Sequence, residues 1–236
     1  MADPLLSFHQ VAIGYRRGRT TKPLIRDLDL TLSAGHFVVL LGRNGTGKST
    51  LLRTMCGLMP PLEGEVHWQG LPLESYSATD IAQTIGIVLT ETPRLSHTTV
   101  EELVLYGRIP HTGFGGAVQE SDRTICRQAM QMVGIDHLAT ATIATLSDGE
   151  RQKAMIAKTI AQGTRLMLLD EPSAFLDHPS KRDLFALLRR LAHEEGKTII
   201  VSTHDLELAL QYADLCWHLR DNVITELLPA GFDREL

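Results

Sequence analysis

The chain has 236 residues, 43% hydrophobic and 22% charged, with a net charge of −5. That length fits one globular domain with a real core and room for a subdomain, and the negative balance leaves no global basic field for nucleic acid. Three widely separated cysteines suit a reducing compartment. No apolar run reaches ~18 residues and no signal-peptide pattern opens the chain, so a cytoplasmic location is expected.

Residues 1–35 read as short strands and turns, with Phe8, Val11, Ile13 and Tyr15 in suggestive alternation and Gly18 in a basic loop. Phe37–Leu41 is apolar on both faces, the pattern of a buried central strand, and Gly42 follows at once. The next residues, GRNGTGKST, match G-x-x-x-x-G-K-[ST] in full between an expected strand and an expected helix. Gly42, Gly45 and Gly47 let the backbone curl with its N–H groups inward, and the helix start adds positive partial charge. Together with Arg43, Asn44, Thr46 and Thr50 they form the expected phosphate cradle. Lys48 supplies a full charge near the outer phosphates, and the Ser49 hydroxyl can ligate Mg²⁺. Alone, the loop says only "nucleoside triphosphate". Leu51, Leu52, Met55 and Met59 then recur at helical spacing until Pro60-Pro61 stops them.

Ile85–Leu89 is a further strand. From about 91 to 162 the pattern is helical, with helices expected over Val100–Tyr106, Asp122–Val133 and Ser147–Ala161, and a polar loop over Gly107–Gln119. Ser147 and Glu150 in LSDGERQ make an S-x-x-E capping box. Leu166–Leu169 is a buried strand leading into Asp170-Glu171. A carboxylate at such a strand end can hold Mg²⁺, and Glu171 next to it suits a general base or water-positioning group. A helix around Lys181–Glu195 precedes the last apolar run, Thr198–Val201, which leads into Ser202-Thr203-His204-Asp205. His204 could donate a hydrogen bond to a γ-phosphate or to the attacking water. Strands alternating with helices predict a parallel sheet with crossover helices.

The phosphate loop, LSDGE, LLDEP, SAFLD and STHD, in that order, resemble the ATP-binding cassette (ABC) ATPases along essentially the whole chain. The resemblance implies an α/β fold: a RecA-like P-loop core with an N-terminal antiparallel β subdomain and a helical insert, all of 1–236 forming one domain. It implies Mg-ATP hydrolysis, with Gly42–Thr50 as Walker A and Leu166–Asp170 as Walker B. Glu171, His204 and Lys48 would be catalytic, and Ser49 and Asp170 would hold Mg²⁺. Tyr15 is placed like the aromatic that stacks on adenine, although a strand residue packing inward reads equally well. Ser147 and Gly149 look like signature contacts to the γ-phosphate of ATP held by a second copy, in a homodimer that closes head to tail. Two departures stand out. Asp148 and Glu150 replace glycine and glutamine in LSGGQ, and Thr90-Glu91 stands where the family has a glutamine.

The G-R-x-P core of Tyr106–Gly116 resembles the ATPases of bacterial importers for ferric siderophores, haem and cobalamin. That likeness implies two transmembrane permease subunits, an extracytoplasmic substrate-binding protein, no nucleic acid, and a peripheral place on the cytoplasmic face of the plasma membrane. The alternatives are an ATPase subunit of another ABC transporter class and a non-transport cassette, although the latter would usually show tandem cassettes or a long coiled coil, and neither is present.

Overall fold

The computed structural model describes residues 4–18, 20–90, 95–112 and 117–228. Its strands are β1 (Leu6–Arg17), β2 (Thr20–Leu32), β3 (Phe37–Leu41), β4 (Glu63–Trp68), β5 (Leu71–Pro72), β6 (Ile85–Val88), β7 (Leu166–Asp170), β8 (Thr198–Thr203), β9 (Leu215–Arg220) and β10 (Val223–Leu227). The α-helices are α1 (Lys48–Met55), α2 (Ala78–Thr84), α3 (Val100–Leu105), α4 (Glu120–Met132), α5 (Asp148–Gln162), α6 (His178–Glu195) and α7 (Leu206–Tyr212).

Two sheets form. The first, in the order β2-β1-β4-β5, is antiparallel; the second runs β10-β9-β3-β8-β7-β6, with β10 alone antiparallel to its neighbour. Every residue of β3, β7 and β8 is buried, as strands covered on both faces must be. Phe37, Val39 and Leu41 face a core shared with α3 to α7, while Val38 and Leu40 face a second core shared with α1 and the antiparallel sheet. The expected layering of parallel sheet, antiparallel β portion and helices between β6 and β7 is thus present.

Several local expectations need correction. Within the first 35 residues the described ones form two long strands, not short ones. Gln10 and Asp27 take positive φ (49° and 50°) inside them, and bulges there break the two-residue alternation that would have marked a continuous strand. The first helix ends at Met55, well before Pro60-Pro61, because Gly57 turns the chain at φ 72°. The helix expected from Lys181 begins at His178, where Asp177 caps it by accepting from the Ser180 N–H at 3.0 Å.

The loop expected over Gly107–Gln119 opens instead with a 3₁₀ turn, Tyr106–His111. A Cβ on Gly107 would lie 2.3 Å from the Lys158 carbonyl oxygen, so only glycine lets this turn sit against α5. Arg108 locks it there, donating from Nε to Asp122 (2.9 Å) and from Nη1 to the Ala161 carbonyl (2.8 Å). Within that segment, 113–116 lie outside the described residues.

Candidate active site

The C-terminal ends of β3, β8, β7 and β6 lie side by side, and the loops leaving them enclose a cavity of about 510 Å³. Open parallel sheets bind ligands at this edge. After Leu41 the chain turns through Gly45 and Gly47, at φ 81° and 114°, and enters α1 with Gly47 at its N-cap. Lys48 is 5% exposed, and its Nζ donates to the carbonyls of Gly42 (2.7 Å) and Arg43 (3.3 Å).

β7 ends at Asp170, which is 3% exposed. Its Oδ1 accepts from Ser202 Oγ at 2.7 Å and its Oδ2 from Thr90 Oγ1 at 3.2 Å. Glu171 then takes φ 47°, a left-handed conformation that costs a non-glycine residue of order 1 kcal/mol. Ser202 on the adjacent strand holds it there, because the Glu171 N–H donates to both its Oγ (2.9 Å) and its carbonyl (3.2 Å). The Glu171 carboxylate lies between two basic groups: Oε2 is 3.1 Å from His204 Nδ1, and Oε1 is 3.2 Å from Lys48 Nζ. The second pair is close in distance without hydrogen-bond alignment, leaving Oε1 buried and otherwise unpartnered.

Of the residues picked out by sequence, Tyr15, Asn44, Gly45, Gly47, Lys48, Ser49, Thr50, Asp170, Glu171 and His204 line this one cavity. Tyr15 does not pack inward: it is 47% exposed, and its hydroxyl is 3.0 Å from Thr50 Oγ1. Gly42, Arg43 and Thr46 shape the loop without lining the cavity; Thr46 N and Oγ1 both donate to the Arg43 carbonyl. Thr90, in the place of the family glutamine, reaches the Asp170 carboxylate and carbonyl, while Glu91 lies outside the described residues. Lys22, Leu24 and Ala174 also line the cavity and were not picked out. Neither was Ser202, the residue that holds the Asp170 carboxylate and the Glu171 backbone N–H. Its signal was only its place one strand over, opposite Asp170.

Ser147 and Gly149 are absent from the lining. They stand at the exposed start of α5, where the capping box is complete: the Glu150 N–H donates to Ser147 Oγ, and the Ser147 hydroxyl and N–H donate to Glu150 Oε2. The Ser147 hydroxyl, then its N–H, hold the Glu150 carboxyl below its ordinary value. Asp148 pairs with Arg151 at 2.6 Å, and Arg151 also donates to the Leu146 carbonyl. Glu150 thus caps the helix as the family glutamine can, and Asp148 is turned to its own helix.

Residues 25–174 match the ABC transporter family. The ferric enterobactin transport ATP-binding protein FepC of Escherichia coli K12 is 40% identical over 91% of this chain and 78% of its own length. The iron(3+)-hydroxamate import ATP-binding protein FhuC of Bacillus subtilis 168 is 39% identical over 88% of this chain and 76% of its own. Among solved structures, the dimeric post-hydrolysis state of the ATP-binding cassette MJ0796 bound to ADP and Pi superimposes with a TM-score of 0.84. It is 26% identical, over 96% of this chain and 100% of that one. A phosphate loop facing two strand-end carboxylates, within a fold shared along nearly its whole length with such proteins, fixes the affiliation: the chain belongs to the ABC transporter family, as an ATP-binding cassette ATPase.

Proposed function

We propose that this chain powers a membrane importer for a ferric siderophore, haem or cobalamin, and that the cavity is where it hydrolyses Mg-ATP. The observation that carries the reading is the meeting of Lys48, Asp170, Glu171 and His204 around one cavity at adjacent strand ends. The iron(III) cargoes in the names of FepC and FhuC favour a ferric siderophore among the three.

The loop N–H groups and Lys48 hold the phosphates, and Tyr15 offers a ring face to the base. Among the described residues no cluster of three or more His, Cys, Asp or Glu could hold a metal alone. The Ser49 hydroxyl and Asp170 carboxylate are hard oxygen donors that fit Mg²⁺ completed by phosphate oxygens and water. When bound, Mg²⁺ neutralises charge on the phosphates. Glu171 orients the attacking water and accepts its proton, and His204 steadies the γ-phosphate. Ser147 and Gly149, which lie off the cavity, serve the ATP of a second copy through the positive end of α5. The working unit is then a homodimer bound to two permease subunits, fed by an extracytoplasmic binding protein. We read 1–236 as one domain, with a helical subdomain of about 91–162 inserted in the core. No helix among the described residues is long and apolar enough to cross a membrane. The likeness to importer ATP-binding proteins supports a peripheral position for this subunit, on the cytoplasmic face.

A tagged pull-down from detergent-solubilised host membranes, read by mass spectrometry, tests the assembly. A polytopic permease in equal amount is expected, and its cargo class names the substrate. Recovery without any membrane protein under gentle detergents would overturn the importer reading.

A further inference from the structure

The hairpin wall of the cavity carries a charge that phosphate-loop chemistry leaves unused. Tyr15 on β1 and Lys22 on β2 are directly opposed in register, and opposed residues on neighbouring strands project from the same face. Leu24, the extra residue where the register shifts between Gly14↔Pro23 and Ile13↔Ile25, also reaches the loop: a Cβ on Gly47 would meet its side chain at 3.3 Å. With the Tyr15 hydroxyl on Thr50, that contact turns the row toward the phosphate loop, and all three residues line the cavity.

Among the described residues, the charged groups facing this cavity come from Lys22, Lys48, Asp170, Glu171 and His204. Four of them are tied down. Lys48 is held by two carbonyls and lies beside Glu171, Asp170 by Ser202 and Thr90, and Glu171 and His204 by each other. The Lys22 side chain has no hydrogen bond or ion pair among the described residues. An ammonium is a point charge with three donors and no acceptor. At the wall of a cavity built for a polyanion, its natural partner is an anionic oxygen.

We propose that Lys22 is a further nucleotide-binding residue, pairing with the phosphate nearest the sugar. The proposal rests on the reading of the cavity as the ATP site. Lys22 stands beside Tyr15 at the base end, away from the strand ends that carry Asp170, Glu171 and His204. It therefore meets a phosphate common to ATP and ADP, adding affinity without touching the bond that breaks.

The test is equilibrium titration of ATP and of ADP into the full chain at two salt concentrations, for wild type, Lys22→Ala, Lys22→Glu, Lys22→Arg and Lys48→Ala. Unchanged thermal unfolding midpoints qualify each variant. Lys22→Ala is expected to weaken both nucleotides by a similar factor, roughly three- to tenfold, with a smaller gap at high salt. Lys22→Glu weakens them further, and Lys22→Arg restores binding to within about twofold. In steady state KM rises while kcat holds. If Lys22→Ala and Lys22→Glu bind like wild type while Lys48→Ala does not, the Lys22 assignment falls and the ATP site stands. A loss confined to ATP would overturn the placement at the inner phosphate. Undiminished binding by Lys48→Ala would overturn the reading of the cavity itself.

Discussion

Tyr15 separates two uses of one side chain. Its hydroxyl lies on Thr50, and its exposed ring is free to take a base. Tyr15→Phe loses only a hydrogen bond, about 1 kcal/mol, whereas Tyr15→Ala also loses a stacking face of ~1–3 kcal/mol. ATP titration should show a Phe variant close to wild type, since that bond lies within the protein, and an Ala variant weaker by roughly tenfold or more. Equal affinities in all three proteins would remove Tyr15 from the site. Such a residue is legible in sequence only through family likeness, since its spacing also fits an inward-packing strand. The phosphate loop is legible directly, because the chemistry of nine consecutive residues, Gly42 to Thr50, is fixed by their own backbone. Ser202 is the opposite case. It lies 32 positions from Asp170 in sequence, and only the parallel register of β7 and β8 sets it against that carboxylate. Lys22 was hidden in the same way, since its facing depends on the pairing that opposes it to Tyr15.

At the scale of elements, the G-R-x-P segment owes its shape to contact with α5. In Gly107→Ala the new methyl would press on the Lys158 carbonyl, and the turn must lift from the helix. We expect a loss of about 1–3 kcal/mol in chemical denaturation, and an unchanged midpoint would show that the turn relaxes freely. The likeness of this segment to importer ATPases could be read from its letters, but its structural reason lies in a tertiary contact. Strands β3, β7 and β8 were legible because burial on both faces leaves continuous apolar runs. β9 and β10 were not singled out: β10 has no buried residue, and its pairing to β9 carries it. The long β1 and β2 were obscured by their bulges.

At the scale of the whole molecule, five carboxylates at helix starts, among the described residues, are held below their ordinary values. Asp80, Glu150 and Asp177 are held chiefly by hydrogen bonds with Ser77, Ser147 and Ser180, and Glu102 and Asp122 chiefly by the backbone N–H groups of Thr99 and Gln119. A carboxylate with a depressed folded value contributes stability that is complete above its ordinary value, 4.5 for Glu and 3.8 for Asp. That stability is lost as pH falls through the lower folded value. Their joint contribution is therefore level above about pH 5 and declines below about pH 4. Urea midpoints followed down to about pH 3 check this, and a midpoint still level there would contradict it.

In the proposed cycle this cavity hydrolyses ATP, and hydrolysis reopens a pair of chains closed by the triphosphate. That cycle is tested most directly by sedimentation of the Glu171→Gln variant with and without Mg-ATP. A monomer is expected without nucleotide and a lasting dimer with ATP, which ADP does not produce, together with arrested turnover. A variant that hydrolyses ATP at the wild-type rate, or that binds ATP and stays monomeric, would contradict it.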